Sequence, residues 1–141
     1  MCIEGYRNRT FSIGDKVRVY RNLNNGKWSI QAADGKMKGK VVGHLNYLKL
    51  KHVEFKVSLA GRKRILKDKR KNVCAFAIGY LDSVSRPSSQ CCAHNEVTFN
   101  PYKSHYFCYV NDTNTPLNQL DIVYFNEGKA FTDLEGVMES I

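Results

Sequence analysis

LAGRKRILKDKRKNVCAFAIGYL, residues 59–81, is the stretch around which the rest of the chain is organised. Its first half holds seven cations and a single acid, Asp68. These cations are Arg62, Lys63, Arg64, Lys67, Lys69, Arg70 and Lys71. Residues 73–81 then carry no charge and are rich in β-branched and aromatic side chains. This change predicts a solvent-exposed basic helix that leads directly into a buried central strand.

The basic half has the pattern of a helix over residues 58–72. Ser58 can cap its N-terminus, and at 100° per residue Leu59 and Leu66 lie almost in line, with Ile65 on their flank. The other face gathers four cations, Lys63, Arg64, Lys67 and Lys71. We therefore expect the helix to dock by a narrow apolar stripe and to present a basic face to solvent.

Residues 1–57, before the helix, have the pattern of short strands joined by tight turns. Val17 and Val19 alternate with charged residues, and an Asn-Gly turn at 25–26 leads to Trp28, which we expect to anchor the core. Further strands are predicted at 40–44, 48–50 and 53–57. Five short strands of this kind predict a small SH3-like or OB-like N-terminal barrel.

Residues 73–141, after the helix, are predicted to be rich in β-structure. Strands are expected at 73–81, 97–100, 105–110 and 121–125. A short C-terminal helix is predicted from the capping-box spacing of Thr132 and Glu135. Its apolar stripe would consist of Leu134, Val137, Met138 and Ile141. The predicted fold class is α+β, mainly antiparallel β, in a single domain over residues 1–141.

The charge of the chain is unevenly distributed. Its 141 residues carry a net charge of +9, yet residues 1–72 hold 19 basic and 5 acidic residues, and residues 73–141 hold 3 and 8. This asymmetry favours a negatively charged partner, with nucleic acid first and an acidic protein surface or anionic membrane next. No apolar run approaches the roughly 20 residues that span a bilayer, and the N-terminus lacks signal-peptide features, so we expect a cytoplasmic protein.

The candidate binding residues are the seven cations of the helix together with Lys36, Lys38 and Lys40. They would contact phosphates, although a charged helix face can also be simply solvated. Tyrosines could add base stacking, but in strand contexts they more often pack on the sheet. These are Tyr20, Tyr47, Tyr80, Tyr102, Tyr106 and Tyr109.

Neither a catalytic site nor a metal or cofactor site is predicted. Zinc ligands could in principle come from Cys91, Cys92 and His94, with His105 and Cys108 downstream. A Cys nucleophile could pair with His44, His52, His94 or His105. However, Cys91 and Cys92 are adjacent, no CxxC pair occurs, and Walker, GxGxxG, HExxH and GxSxG motifs are absent. We rank a small Cys-His enzyme last among the functions considered.

Several segments together resemble a group of small proteins encoded by bacteriophages and other mobile elements. The matching segments are GDKVRVYRNL (14–23), WSIQ (28–31), residues 39–44, AGR (60–62), RKNV (70–73) and NPYK (100–103). The resemblance covers most of the chain and implies no particular chemistry. It implies a protein acting in the cytoplasm of a bacterial host, and small mobile-element proteins of this kind are often anti-defence factors, including anti-CRISPR proteins.

These observations predict a non-enzymatic protein that binds nucleic acid or a nucleoprotein complex, such as a CRISPR effector, through its basic surface. Many anti-CRISPR proteins mimic DNA with acidic surfaces, and the basic N-terminal half argues against that mechanism here. The alternative is an inhibitor that contacts only protein.

Overall fold

The computed structural model describes residues 2–4, 6, 9–22, 26–68, 74–84, 96–126 and 129–132. Within them the chain forms twelve strands and one α-helix. In chain order these are β1 (Cys2–Glu4), β2 (Thr10–Ser12), β3 (Lys16–Arg21), β4 (Trp28–Ala32), β5 (Val41–Leu45), β6 (Tyr47–Val57), α1 (Leu59–Asp68), β7 (Ala75–Ser83), β8 (Glu96–Thr98), β9 (Phe107–Tyr109), β10 (Asp112–Leu117), β11 (Gln119–Asn126) and β12 (Lys129–Thr132).

Ten strands form one antiparallel sheet in the order β10-β9-β8-β12-β11-β6-β7-β3-β4-β5, and β1 pairs with β2 in a separate hairpin. The predicted N-terminal barrel is therefore wrong, and the described part of the fold is nearly all β. The N-terminal strands have the expected alternation, but β6 pairs with β7 and β11 rather than closing onto β3–β5. Alternation specifies a half-buried strand without specifying its partners, so it fits one large sheet as well as a barrel.

The sheet curls so strongly that strands far apart in its order meet across the core. Trp28 on β4 and Phe125 on β11 lie edge to face with ring centroids 4.6 Å apart, although three strands separate β4 from β11. Large twisted sheets commonly curl in this way because each strand rotates relative to its neighbour. Trp28 is only 8% exposed, which confirms its predicted role as a core anchor.

β6 is one continuous strand, whereas the sequence predicts two strands at 48–50 and 53–57. The interruption is a bulge: the register between β6 and β7 shifts between Lys51 and Glu54, and His52 has a φ of 52°. The polar pair Lys51-His52 was interpreted as a break, but the strand continues through it. The bulge allows Leu50 and Val53 both to reach the core.

The other strand predictions mostly agree with the structure. The β3–β4 hairpin, the central position of β7, and β11 are confirmed. The strands predicted at 97–100 and 105–110, which the sequence around Pro101 allows to pair, correspond to β8 and β9, and these do pair. Thr132, the predicted cap of a C-terminal helix, is the last residue of β12, and residues 133–141 lie outside the described residues. No helix in the described part of the chain is long and apolar enough to cross a membrane.

Candidate nucleic-acid interface

Helix α1 connects the end of β6 to the start of β7 and is fixed in place at three points. Its N-terminus is capped as predicted, because Gly61 N donates to Ser58 Oγ at 3.1 Å. Ile65 is 3% exposed and holds the helix against the core. Arg62 Nε donates to the carbonyl oxygens of Pro101 at 2.9 Å and Ser104 at 2.8 Å. These contacts give the helix a single orientation relative to the sheet and to the turn at 100–104.

Three of the predicted cations, Lys63, Arg64 and Lys67, are solvent-exposed on this anchored helix. Lys63 and Lys67 stand one turn apart on the same face, with Arg64 beside them. Within the described residues none of the three forms an ion pair. Their charges are therefore not neutralised by other described residues and can contact a partner. Because the helix is already fixed in place, binding costs little additional conformational entropy.

The cations of the sheet surface are arranged differently. Lys49 and Lys51 both pair with Asp82, at 3.1 and 3.0 Å, and Lys56 pairs with Glu54 at 3.4 Å. The hydrogen bond from Lys51 is the main cause of the lowered pKa of Asp82, and the bond to Asp82 is the main cause of the raised pKa of Lys49. These lysines are partly neutralised within the protein, in contrast with those of α1.

The apolar stripe predicted for α1 is wrong in two of its three residues. Leu59 is 57% exposed and Leu66 is 38% exposed, and only Ile65 is buried. The helix instead turns its Gly61 side inward, where an added Cβ would lie 3.1 Å from Cys74 Cβ. Close approach at a glycine determines which face docks, and a count of apolar residues cannot detect it.

The predicted binding residues do not form one surface. Lys36, Lys38 and Lys40 are exposed in the turn between β4 and β5. β3 is antiparallel to both β4 and β7, so β4 and β7 run in the same direction. Helix α1 precedes β7, whereas the turn with Lys36, Lys38 and Lys40, here called the lysine turn, follows β4. The two sets of cations therefore lie at opposite ends of the strands. Lys69, Arg70 and Lys71 lie outside the described residues.

Arg62 differs from its neighbours because it is half-buried and its Nε is used within the protein. It brings the turn at 100–104 next to α1, and this turn presents Tyr102, which is 59% exposed, and the exposed Lys103. The sequence gives no reason to group Lys103 with the helix, since the two are distant along the chain. The Arg62 hydrogen bonds to Pro101 and Ser104 bring them together.

Of the other tyrosines considered for stacking, Tyr80 is 42% exposed, and Tyr20, Tyr47, Tyr106 and Tyr109 are at least half-buried. Burial raises the pKa of the Tyr109 hydroxyl. Among the described tyrosines predicted as stacking candidates, Tyr102 is thus the most exposed. It lies in the turn that Arg62 holds beside α1.

Cys74 and Cys108 are buried, and their thiols are protonated at neutral pH. Burial raises the pKa of the Cys74 thiol, opposed in part by Arg62, and burial also raises that of Cys108. Such thiols are weak nucleophiles. Among the described residues no group of three or more His, Cys, Asp or Glu side chains could hold a metal ion. Cys91, Cys92 and His94 lie outside those residues.

The fold and this site define a small, nearly all-β protein that exposes unpaired cations on a single anchored helix. By sequence, the chain belongs to the family described as Mycobacterium phage L5 gene 82 protein, whose model matches residues 10–133. It is 32% identical over 118 residues to the Gene 82 protein of Mycobacterium phage L5, a match covering 79% of this chain and 90% of that protein. The predicted phage origin of its relatives is confirmed. No solved structure gives a significant match.

Proposed function

We propose that this protein is a non-enzymatic binding protein that engages nucleic acid, alone or in a nucleoprotein complex, through the exposed face of α1. The observation that carries the proposal is that Lys63, Arg64 and Lys67 are exposed together and form no ion pair with other described residues. Cations on a rigid support gain affinity for phosphates by releasing the counterions condensed on the nucleic acid.

The turn beside α1 supports the same function. Tyr102 is exposed next to the helix and can stack on an unpaired base, and Lys103 adds a further cation. An interface built this way holds the backbone by charge and tolerates many base sequences. We therefore expect weak sequence preference.

The proposal is tested by fluorescence anisotropy with labelled single-stranded and duplex DNA and RNA between about 50 and 200 mM salt, the range over which phosphate contacts lose most of their affinity. The variant Lys63→Gln/Arg64→Gln/Lys67→Gln should bind more weakly. Its slope of log affinity against log salt should be shallower by about 0.9 on duplex for each phosphate contact removed.

The lysine turn provides a matched control. Lys36→Gln/Lys38→Gln/Lys40→Gln removes the same number of charges at the opposite end of the strands. If α1 is the binding surface, this control should retain most of the affinity. Equal losses in the two variants would mean that net charge alone drives binding, and the absence of binding at low salt would contradict the proposal.

We further propose that the nucleic acid is held in a host-defence nucleoprotein such as a CRISPR complex. This step is supported by membership in a phage protein family together with the basic surface. In a host carrying an active CRISPR system, expression of the protein should raise plaque formation by a targeted phage, and the α1 triple variant should not. Equal plaque counts with and without the protein would exclude inhibition of that system.

A second candidate function is binding to protein alone. Leu59 and Leu66 are exposed on α1 next to its cations, and a mixed apolar and basic surface is typical of protein interfaces. Nuclease treatment before a pull-down from host lysate separates the two functions. A complex that survives digestion and is lost with Leu59→Ser/Leu66→Ser would favour this candidate over direct nucleic-acid contact.

A further inference from the structure

A cavity of about 360 Å³ lies between the concave face of the sheet, α1 and the segment 96–102. Its walls are mainly aromatic and aliphatic, including Trp28, Phe55, Phe107 and Phe125. Protein cores rarely contain voids much larger than a water molecule, whereas small-molecule sites begin at roughly 300 Å³. The size of the cavity is therefore that of a ligand site rather than of a packing defect.

One wall of this cavity carries a hydrogen-bond donor without an acceptor. The Trp28 side chain is only 8% exposed, and its Nε1 has no hydrogen-bond partner among the described residues. A buried indole N–H normally has a partner, because leaving it unpaired in an apolar environment is unfavourable. The unpaired N–H makes Trp28 an exception among the apolar walls of the cavity.

Two exposed cations line the same cavity. Arg21 is the cross-strand partner of Trp28, so their side chains are neighbours on one face. Lys129 also lines the cavity and directly precedes Ala130. Ala130 is the cross-strand partner of Phe125, whose ring contacts Trp28 edge to face. Glu96 is the acidic residue among the described lining residues. The cavity thus combines apolar walls with a net positive rim, which complements an apolar molecule bearing an anionic group.

We propose that this cavity binds a small aromatic carboxylate. Its ring would pack against Trp28 and the phenylalanines, and its carboxylate would lie near Arg21 and Lys129. A nucleobase fits less well, because it would bring several polar ring atoms to a cavity whose walls offer few partners. The cations on the exposed face of α1 do not line the cavity, whereas Tyr102 lines it and also belongs to the surface proposed to bind nucleic acid. The two proposals rest on different charged residues and are tested by different variants.

Trp28 is the single tryptophan of the chain, so intrinsic fluorescence reports directly on the cavity. We would titrate 3-phenylpropionate, its neutral amide and 3-cyclohexylpropionate, none of which absorbs where tryptophan is excited. A saturable change in Trp28 emission is expected for the aromatic acid at or below about 1 mM, a reasonable affinity for so small a ligand. The amide and the cyclohexyl acid should each bind several-fold more weakly.

Variants identify the groups responsible. Arg21→Gln/Lys129→Gln should lower the affinity for the acid about tenfold and leave that for the amide unchanged, because only the charge contact is lost. Lys36→Gln/Lys38→Gln is the charge-matched control and should bind like the unmodified protein.

Three results would overturn the proposal. The first is the absence of a saturable change in Trp28 emission up to about 10 mM acid, a concentration well above the expected dissociation constant. The others are equal affinities for the acid and the amide, or tighter binding of adenosine monophosphate than of 3-phenylpropionate. The last result would assign the cavity to nucleotides. Thermal unfolding of each variant, measured in parallel, shows whether a loss of binding comes from loss of the fold. If the double variant is unfolded, Arg21→Gln and Lys129→Gln are tested as single variants.

Discussion

At the scale of single residues, the bulge in β6 depends on a glycine in the neighbouring strand. Gly79 on β7 lies opposite the bulge, and an added Cβ would be 2.9 Å from the carbonyl oxygen of Lys51 and 3.2 Å from Val53 Cγ2. The neighbour in closest contact is backbone, which cannot move aside as a flexible side chain can. Residue 79 therefore has to be glycine for β6 to approach β7 along its full length.

We predict that Gly79→Ala destabilises the protein by roughly 1–3 kcal/mol, because overpacking forces the backbone of β6 to shift. Urea denaturation followed by circular dichroism measures the change.

His52→Gly is the control at the same bulge. His52 is exposed and has a φ of 52°, a value that glycine adopts more easily, so this variant should be neutral or more stable by up to about 1 kcal/mol. A Gly79→Ala protein as stable as the unmodified chain would show that β6 can move without cost.

At the scale of elements, α1 is a short helix whose position depends on few contacts. Ile65 is its buried apolar anchor, and Arg62 ties it to the turn at 100–104. A ten-residue helix is marginal by itself in water, so these tertiary contacts supply most of its stability. The Arg62 Nε hydrogen bonds hold the turn that presents Tyr102 and Lys103, and the prediction that Arg62 contacts phosphates stays a prediction.

We predict that Arg62→Lys lowers the free energy of unfolding by about 1–2 kcal/mol, although the charge is kept, because an ammonium cannot reproduce the geometry of guanidinium hydrogen bonds to two carbonyls. Thermal unfolding measures the loss.

Arg64→Lys is the matched control on the exposed side of the same helix and should stay within about 0.5 kcal/mol of the unmodified protein. Equal stability of the two variants would mean that the Arg62 contacts contribute nothing to the anchoring of α1.

At the scale of the whole molecule, the sheet joins the two halves that differ in charge. β6 belongs to the basic half by sequence, yet it lies between β7 and β11, which both come from the acidic half. The core is continuous across this junction, since Trp28, Leu50 and Phe125 belong to one cluster of buried residues. Neither half therefore contains all the neighbours that its strands require.

We predict that a fragment comprising residues 1–58 does not fold by itself. In the fragment β6 would lose both of its partner strands, and β3 would lose β7. The proton–nitrogen correlation spectrum of the fragment should show the narrow amide dispersion of an unfolded chain, whereas the full chain should show the wide dispersion of β-structure. A well-dispersed spectrum from the fragment would mean that the N-terminal strands can form a unit of their own.

Local features were predictable because they depend on neighbours in sequence. The alternation in β3, the cap at Ser58 and the apolar run of β7 each involve residues close along the chain, and each agrees with the structure. The density of cations on α1 was likewise predictable from residues 59–68 alone. For the proposed interface, the sequence alone predicts Lys63, Arg64 and Lys67, and these stay predictions. The position of Lys103 beside them and the Arg62 hydrogen bonds to the turn at 100–104 appear only in the tertiary structure.

What the sequence by itself determined about this protein is the character of its segments: which ones are strands, which one is the basic helix, and how the charge divides. Only the tertiary structure decided how those segments meet. The partners of β6, the face of α1 that Ile65 and Gly61 turn inward, and the cavity beside Trp28 all follow from pairing between distant parts of the chain. Such pairing is selected by the packing of the complete core, and no local pattern encodes it.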